Sequence, residues 1–410
     1  MARTCLLAHA PARHHFFAMQ ALDPMRTAPP PPIRLTLLTG FLGAGKTTIL
    51  NRLLSERTVV DTAVVVNEFG EVGIDQLLVE AEVSDGLIEL SDGCLCCSVR
   101  GELVETLERL IDRRSGDGRP LARVIVETTG LADPTPILAA IMTHPVLSQA
   151  YALDAIICVI DALNGAANLE NHVEAVRQLG VADRIVLTKS DLAPADFDML
   201  RDAVRAVNEG AALIDASKAA PLAPRILDCG LSKIDGTLGD PAEWLGERHG
   251  RDHGRHAGHS GHGDAHSHAH AHTDTHAHDH APHRHGAVRS MALVHEQPIG
   301  EQAIFAFLEM LARFEGGNVL RMKGIVHTVE QGERPLVLHG VRGYLHPPAR
   351  LPTWRAGASR KSRLVIIGEN LNEARVRDLF AAFTGKPGVD APDRTAIEDN
   401  PLAVPGMRFS

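Results

Sequence analysis

The sequence has few cysteines for its length, six in 410 residues. Cys5, Cys158 and Cys229 are scattered, and the N-terminal "MARTCLLAHAPARHHF" has an apolar patch too short for a secretory signal. A chain of this length can bury a core in each of two or three domains without disulfide bonds. These absences exclude a disulfide-stabilised secreted scaffold and predict a cytoplasmic protein.

The sequence also lacks long apolar runs and clusters of basic residues. No stretch approaches the roughly 20 apolar residues that span a bilayer, which predicts a soluble protein without a membrane anchor. The formal net charge is −10, whereas a general nucleic-acid binder needs clustered Lys and Arg for its phosphate contacts. The expected partners are therefore small molecules, metal ions and other proteins.

From Ile33 onwards, short apolar segments alternate with amphipathic helical segments. The segments "IRLTLLT", "DTAVVVN", "ARVIVET", "LDAIICVID" and "ADRIVLT" are typical of strands. The segment "GELVETLERLI" places Leu103, Leu107, Leu110 and Ile111 on one helical face. This alternation predicts an α/β fold, in which helices cover both faces of a mostly parallel sheet. A second series, from "SMALVHE" to "LNEARVRDLFAAF", predicts a smaller α+β domain with Val376, Leu379, Phe380 and Phe383 on one helical face.

A histidine-rich segment separates the two series. Thirteen histidines occur from His253 to His285 among Gly, Ala and Asp, without an aliphatic pattern that could form a core. We predict five regions: a disordered N-terminal extension at 1–32, a first domain at 33–230, a disordered linker at 231–289, a C-terminal domain at 290–385 and a tail at 386–410.

The segment "LTLLTGFLGAGKTT" contains the G-x-x-x-x-G-K-T pattern of a phosphate-binding loop. The pattern lies between a predicted strand and a predicted helix, as it must if backbone N–H groups are to surround phosphates. Lys46 would then reach the β and γ oxygens, and the Thr47 hydroxyl would bind Mg²⁺. A glycine-rich structural turn is the alternative. The predicted nucleotide contacts are Gly40, Gly43, Ala44, Gly45, Lys46, Thr47 and Thr48.

The segment "RVIVETTGLADP" ends a predicted strand in Glu127, with Gly130 three residues later. A carboxylate in this place can hold Mg²⁺, directly or through water, and the Gly130 N–H can bind the γ-phosphate. A carboxylate that only caps a helix is the alternative for Glu127.

The segment "TKSD" follows the strand-like "ADRIVL" and favours guanine over adenine as the base. The Asp191 carboxylate can accept hydrogen bonds from N1–H and the exocyclic amine of guanine, and the Lys189 stem can cover the base. Thr188 stands where the usual GTPase pattern has Asn. Taken alone, this segment is little more than a helix N-cap.

Cys94, Cys96 and Cys97 form a tight group in "GCLCC". Adjacent or alternate cysteines do not form an easy structural disulfide, and a nucleophile would need only one thiol with a base. Three sulfurs at this spacing can converge on one metal ion, with Zn²⁺ or Cu(I) best suited to them. Reduced thiols packed under a loop are the alternative.

Taken together, "GFLGAGKTT", "NEFGE", "GCLCC", "ETTGLADP" and "TKSD" resemble the CobW-type family of GTPase metallochaperones. The resemblance covers nearly all of residues 33–385. It implies a GTP hydrolase that delivers a transition metal, most often zinc, to a client metalloprotein, with GTP, Mg²⁺ and Zn²⁺ as ligands and a homo-oligomer as one possible assembly. Two alternatives stay open: delivery of Co²⁺ for cobalamin synthesis or to a cobalt or iron enzyme, and a His-rich metal buffer with incidental GTPase activity.

The resemblance also assigns roles to individual residues. It implies that Lys46, Thr47 and Glu127 are catalytic and that Glu68 and Glu71 belong to an acidic switch-like segment. The metal ligands that it implies are Cys94, Cys96, Cys97, Glu71 and His144, with Thr47 for Mg²⁺. Relatives can carry a further carboxylate where this chain has Val66, and His144 is as readily a surface histidine at a helix end. The histidine tract would collect Zn²⁺, Ni²⁺, Co²⁺ or Cu²⁺, with a solvated spacer as the alternative.

Overall fold

A computed structural model of the chain describes residues 31–66, 87–89, 98–116, 121–192, 197–218, 220–231, 239–246, 288–355, 357 and 359–385. Several predictions lie outside these ranges. They concern most of the N-terminal extension, the acidic segment with Glu68 and Glu71, the thiols of Cys94, Cys96 and Cys97, the histidine tract and the tail. The described residues from Pro32 onwards belong to one compact unit.

A parallel sheet of seven strands is built by the first half of the described chain. Its strand order is β3-β2-β4-β1-β5-β6-β7, and all neighbours pair in parallel. Every position of the central β1 is buried, because helices cover both faces of the sheet. The strands are β1 (Ile33–Gly40), β2 (Thr62–Val66), β3 (Leu87–Glu89), β4 (Arg123–Glu127), β5 (Tyr151–Asp161), β6 (Arg184–Thr188) and β7 (Ala212–Asp215).

Two apolar clusters lie on opposite faces of this sheet. Leu35 and Leu37 of β1 belong to one cluster and Leu38 to the other, as the alternation of side chains along a strand requires. Leu103 and Leu107 are buried in the first cluster, which confirms the predicted helical face. The helices are α1 (Lys46–Leu54), α2 (Ser98–Gly116), α3 (Pro134–Thr143), α4 (Leu147–Ala150), α5 (Gly165–Asn171), α6 (Val173–Gly180), α7 (Phe197–Val207), α8 (Ala223–Ile226) and α9 (Pro241–Trp244).

An antiparallel sheet follows, in the strand order β11-β10-β9-β13-β8, with β12 paired to β10. Two helices pack against it through a cluster that includes Phe307, Val376 and Phe380. The predicted α/β domain with a smaller α+β domain is therefore confirmed. These elements are β8 (Val288–His295), α10 (Glu301–Glu315), β9 (Val319–Val326), β10 (Leu336–Val341), β11 (Tyr344–Leu345), β12 (Ala349–Arg350), β13 (Ser362–Glu369) and α11 (Glu373–Phe383).

The two sheets pack together through the end of α6. A Cβ atom on Gly180 would lie 2.8 Å from Cγ1 of Val288, so only glycine allows β8 to approach this closely. Val288, Leu320 and Val341 of the antiparallel sheet share an apolar cluster with Leu35 of the parallel sheet. The C-terminal domain is thereby joined to the first domain by a buried core.

The region predicted as a linker, 231–289, differs from the structure at both ends. It includes α9, and Leu245 just after α9 is buried with Leu231, Ile325 and Leu351. Its last residues belong to β8, which begins at Val288. The apolar side chains of "PAEWL" are too few to reveal a packed segment by periodicity, and their partners lie far along the chain.

Candidate nucleotide-binding site

The glycine-rich loop between β1 and α1 has the backbone shape that a phosphate cradle needs. Gly40, Gly43 and Gly45 have φ angles of 146°, 69° and 93°, a region that favours glycine. A Cβ atom on Gly40 would lie 2.3 Å from the carbonyl oxygen of Val159, so glycine is also required there by space. The loop ends at Lys46, the first residue of α1, whose N-terminus favours anions.

Thr47 and Glu127, both predicted to hold Mg²⁺, are brought together by the sheet. Glu127 ends β4, which pairs with β1, and only 3% of the Glu127 surface is exposed. The Thr47 hydroxyl donates a hydrogen bond of 2.9 Å to Oε1 of Glu127, across 80 residues of sequence. A hydroxyl beside a carboxylate is a donor set that suits Mg²⁺. The residues therefore fit the predicted ion.

Lys46 lies over the loop that precedes it. Its ammonium group donates to the carbonyl oxygen of Phe41 at 3.3 Å, and Ala44 N–H donates to the same oxygen at 3.2 Å. This arrangement keeps the positive charge at the mouth of the cradle. It fits the predicted contact of Lys46 with phosphate oxygens.

The turn Gly130–Asp133, which follows β4, lies directly against the glycine-rich loop. A Cβ atom on Gly130 would be 2.8 Å from the backbone nitrogen of Leu42. From the other side, the buried Gln178 amide donates to the carbonyl oxygens of Gly130 at 3.1 Å and Ala132 at 2.9 Å. The Gly130–Asp133 turn is therefore packed between the glycine-rich loop and α6. Sequence reasoning missed Gln178.

The base element after β6 is packed onto the glycine-rich loop. The Thr188 hydroxyl donates to the Ala44 carbonyl oxygen at 2.7 Å. Threonine in this position therefore links the base element to the glycine-rich loop. The Lys189 ammonium donates to the Gly43 carbonyl oxygen at 2.9 Å and to Oδ2 of Asp161 at 3.0 Å. The candidate phosphate and base contacts thus form one continuous site.

Asp161, at the end of β5, is a further site residue that the motifs did not reveal. Its Oδ1 accepts hydrogen bonds from the backbone of Leu163 and Asn164. Burial by itself would raise the pKa of Asp161, but the hydrogen bonds from Asn164, Lys189 and Leu163 lower it below its ordinary value. The carboxylate is therefore charged at neutral pH and can anchor Lys189.

The loop after β7 forms hydrogen bonds with the base element. The Ser190 hydroxyl donates to Oδ1 of Asp215 at 2.6 Å and lies 2.8 Å from the Ser217 hydroxyl. Burial would raise the pKa of Asp215, but hydrogen bonds from Ser190 and Ser217 lower it. Asp191, next to Ser190, is exposed on this edge of the sheet. A segment as short as "DAS" carries no signal that would have indicated these contacts beforehand.

His144, a predicted metal ligand, ends α3 and faces α2. Its Nδ1 accepts from the Leu147 N–H at 3.4 Å, and its Nε2 lies 3.8 Å from Oε1 of Glu108. Glu108 is ten residues beyond Ser98, the start of α2, or about 15 Å along the helix axis. A shared site of His144 with the thiols stays a prediction, since Glu71 and the three cysteines lie outside the described residues.

The two cysteines that the structure does describe are poor metal ligands. Burial raises the pKa of both Cys158 and Cys229 to about 12, so both are protonated at neutral pH. Within the described ranges, no group of three or more His, Cys, Asp or Glu side chains could hold a metal ion. Among the helices of those ranges, none is long and apolar enough to cross a membrane.

Comparison with known proteins identifies the family. Residues 34–215 match the model of the CobW/HypB/UreG nucleotide-binding domain, and residues 288–384 match that of the cobalamin synthesis protein cobW C-terminal domain. The zinc chaperone CobW of Pseudomonas aeruginosa is 34% identical over 376 residues, which cover 86% of this chain and 91% of the relative. The chain belongs to the CobW family.

Two further comparisons concern the zinc chaperone YjiA of Escherichia coli. It is 41% identical over 177 residues, which cover 43% of this chain and 55% of YjiA. The structure of the Zn(II)-bound YjiA GTPase superposes with a TM-score of 0.57 at 26% identity and covers 86% of this chain and 99% of YjiA. The predicted membership of the CobW family is thus confirmed, and with it the P-loop GTPase fold of the first domain.

Proposed function

We propose that this protein is a GTP-hydrolysing metallochaperone that delivers zinc to a client metalloprotein. The observation that carries the nucleotide part is the hydrogen bond between Thr47 and Glu127 beside the glycine-rich loop. The relatives named zinc chaperones support zinc as the cargo. In this proposal residues 33–230 bind the nucleotide and residues 290–385 form the second domain.

In the proposed reaction, each residue at the phosphate end has one task. Lys46 orients the β- and γ-phosphates through its ammonium group, and the Gly130 N–H binds the γ-phosphate. Thr47 and Glu127 would hold Mg²⁺, which supplies positive charge against the negative charge of the phosphate oxygens. Because positioning and charge do most of the work in phosphoryl transfer, loss of any one of these groups should slow hydrolysis.

At the base end, Asp191 selects guanine through N1–H and the exocyclic amine. Lys189 is held by Gly43 and Asp161, so the loop that carries Asp191 keeps a fixed distance from the phosphate loop. This link supports recognition of a nucleotide as a whole, base and phosphates together.

The zinc cargo is proposed to bind Cys94, Cys96 and Cys97 as thiolates, with Glu71 and His144 as further ligands. In the GTP state the γ-phosphate orders the segment 67–73, which contains Glu68, and through it the thiols; hydrolysis releases both. The histidine tract from His253 to His285 is proposed as a weak, fast-exchanging reservoir that feeds this site.

The deciding experiment measures zinc affinity in two nucleotide states. We expect at least a tenfold difference in Kd for Zn²⁺ between the GDP-bound protein and the protein with a non-hydrolysable GTP analogue. The triple change Cys94→Ser, Cys96→Ser and Cys97→Ser should abolish this difference, and the control Cys229→Ser should keep it, because that thiol stays protonated. Equal affinities in the two states would contradict the proposal. A larger difference for Co²⁺ would reassign the cargo to cobalt.

A second experiment tests the nucleotide site itself. Lys46→Ala should lower GTP hydrolysis at least a hundredfold, while Lys361→Ala, which removes an exposed lysine paired with Glu296, should leave it unchanged. Competition of ATP and GTP for the wild-type site tests the role of Asp191. Preference for ATP would refute the assignment of guanine.

A further inference from the structure

We propose that Arg342, from the antiparallel sheet, is a positioning residue for GTP hydrolysis, because it holds the Gly130–Asp133 turn from the side of the C-terminal domain. This inference rests on the proposed GTPase activity. It adds a residue that lies outside every nucleotide motif of the sequence.

Asp133 is the point at which the turn meets Arg342. Its Oδ1 caps α3 by accepting from the Thr135 N–H at 2.9 Å and the Thr135 hydroxyl at 2.6 Å. Its Oδ2 accepts from Nη2 of Arg342 at 2.5 Å, and Nε of Arg342 donates to the Thr135 hydroxyl at 2.7 Å. One guanidinium thus binds both polar groups that begin α3, and these lie 209 and 207 residues away in sequence.

The backbone at Arg342 is unusual for an arginine. Arg342 and Gly343 connect β10 to β11 and have φ angles of 54° and 89°. Two successive residues with positive φ match the tight hairpin turn that ordinarily takes Asn-Gly or Gly-Gly. For a residue other than Gly, Asn or Asp, this conformation costs conformational free energy, which contacts in the surrounding structure must offset. Arg342 makes such contacts with Asp133 and Thr135.

A second contact joins the same turn to the C-terminal domain. Arg177 of α6 lies 3.7 Å from Oδ2 of Asp133 and donates to Oε2 of Glu369, at the end of β13, at 2.9 and 3.0 Å. Its neighbour Gln178 binds the carbonyl oxygens of Gly130 and Ala132. The turn is therefore held from α6 and from the antiparallel sheet, and on its third side it meets Leu42.

These contacts predict a specific consequence for hydrolysis. Gly130 can reach the γ-phosphate only if the turn is in place, and Asp133 is three residues away on the same turn. Arg342 acts through Asp133 and does not touch the nucleotide. Its loss should therefore slow the chemical step more than it weakens GTP binding.

The test compares Arg342→Ala, Arg342→Lys and the control Arg360→Ala in the full-length protein. Arg360 also lies in the C-terminal domain and pairs with the exposed Glu333 of the same domain. We expect Arg342→Ala to lower kcat about tenfold with KM for GTP changed less than about twofold, within the range seen for coupled networks. Arg342→Lys should recover part of kcat, because an ammonium can pair with Asp133 but lacks the planar fork with which the guanidinium binds Asp133 and Thr135 together. Arg360→Ala should match the wild type.

A double-mutant cycle with Asp133→Asn separates this role from a general structural one. If Arg342 acts through Asp133, the double variant should be no slower than either single variant. Additive losses would overturn the proposal, as would an unchanged kcat in Arg342→Ala or a loss confined to KM. If the wild-type protein hydrolyses no GTP, the proposed function fails; if it does and Arg342→Ala hydrolyses GTP equally fast, only this inference fails.

Discussion

Two acidic residues of the first domain, Asp133 and Asp183, contact basic residues of the antiparallel sheet, and they differ in their surroundings. The Asp183 side chain is 7% exposed, and its partner Arg321, at 2.9 Å, is 3% exposed. The Asp133 side chain is 18% exposed and that of Arg342 33%. The first contact lies within a buried charge cluster, whereas the second lies beside the nucleotide site and within reach of water.

This difference indicates two kinds of contact between the domains. Asp183 also accepts from Lys323 and from the Ile156 N–H, so its carboxylate is satisfied only while the domains are together. Removing one partner while the others stay buried would leave a charge without a counter-charge, which costs several kcal/mol. The pair of Asp133 and Arg342 is less buried, so breaking it costs less than breaking the Asp183 cluster. The buried contact holds the two domains together, and the less buried one lies beside the candidate nucleotide site.

The largest expected effect is on the buried contact. Asp183→Asn should lower the free energy of unfolding by about 3–5 kcal/mol, because Arg321 and Lys323 lose their counter-charge in a buried place. Urea denaturation at neutral pH measures this loss. The control Asp198→Asn removes an exposed acid paired with Arg201 and should change stability by less than about 1 kcal/mol. Equal losses in the two variants would remove the distinction between the contacts.

The pH dependence of stability should also reflect the charge of Asp183. Burial alone would raise the pKa of Asp183, but Arg321 and Lys323 lower it well below its ordinary value. Between the folded and the unfolded pKa of Asp183, the unfolded chain therefore binds more protons at this residue than the folded chain. The contribution of Asp183 to stability is complete above about pH 4 and is lost as the pH falls towards the lower folded pKa.

Denaturation curves between pH 7 and pH 3 test this prediction. The difference in unfolding free energy between the wild type and Asp183→Asn should shrink as the pH falls below about 4, by at most about 1.4 kcal/mol for each pH unit. A constant difference over this range would assign the stabilisation to packing around residue 183 and not to its charge.

A smaller stability effect is expected at the accessible contact. Asp133→Asn keeps a side chain that can cap α3 and removes only the charge. The free energy of unfolding should fall by less than about 1 kcal/mol, measured by the same urea titration. A loss as large as that of Asp183→Asn would show that the two contacts do not differ in kind.

The smallest expected effect is that of salt. Raising the ionic strength from 0.1 M to 1 M shortens the Debye length from about 10 to about 3 Å, which screens the less buried pair of Asp133 and Arg342 more than the buried cluster. The stability difference between the wild type and Arg342→Ala should therefore decline in 1 M salt, while that of Asp183→Asn persists. Equal salt sensitivity would contradict the difference in burial.

Much of the fold was predictable because it depends on local periodicity. Helical spacing predicted one apolar face of Leu103, Leu107, Leu110 and Ile111. The three leucines are buried, and Ile111 is partly buried against the same cluster. The segment 231–289 was less predictable, because Leu245 is buried by Ile325 and Leu351, which lie far beyond it in sequence. Periodicity shows which face of a helix or strand is apolar, but it does not show which distant element covers that face.

The candidate site divides in the same way. Gly40, Gly45, Lys46 and Thr47 were predicted to form one loop, since a cradle of backbone N–H groups needs consecutive residues. Gln178 was missed because its partners are the carbonyl oxygens of Gly130 and Ala132, which any residue could supply. Because every residue has a backbone carbonyl, a hydrogen bond to one requires no particular residue type and leaves no pattern in the sequence.

By itself, the sequence determined the order of strands and helices, the phosphate loop and the resemblance to the CobW family, because each depends on residues close together in the chain. Only the tertiary structure decided that Thr47 meets Glu127, that Lys189 binds Asp161 and that Arg342 holds Asp133. Parallel strands bring distant loops to one edge, and sheet packing brings a hairpin from the second domain beside them. Such contacts depend on the order of the strands within the sheet and on domain packing. Local sequence patterns give the order of elements along the chain and do not encode either of these.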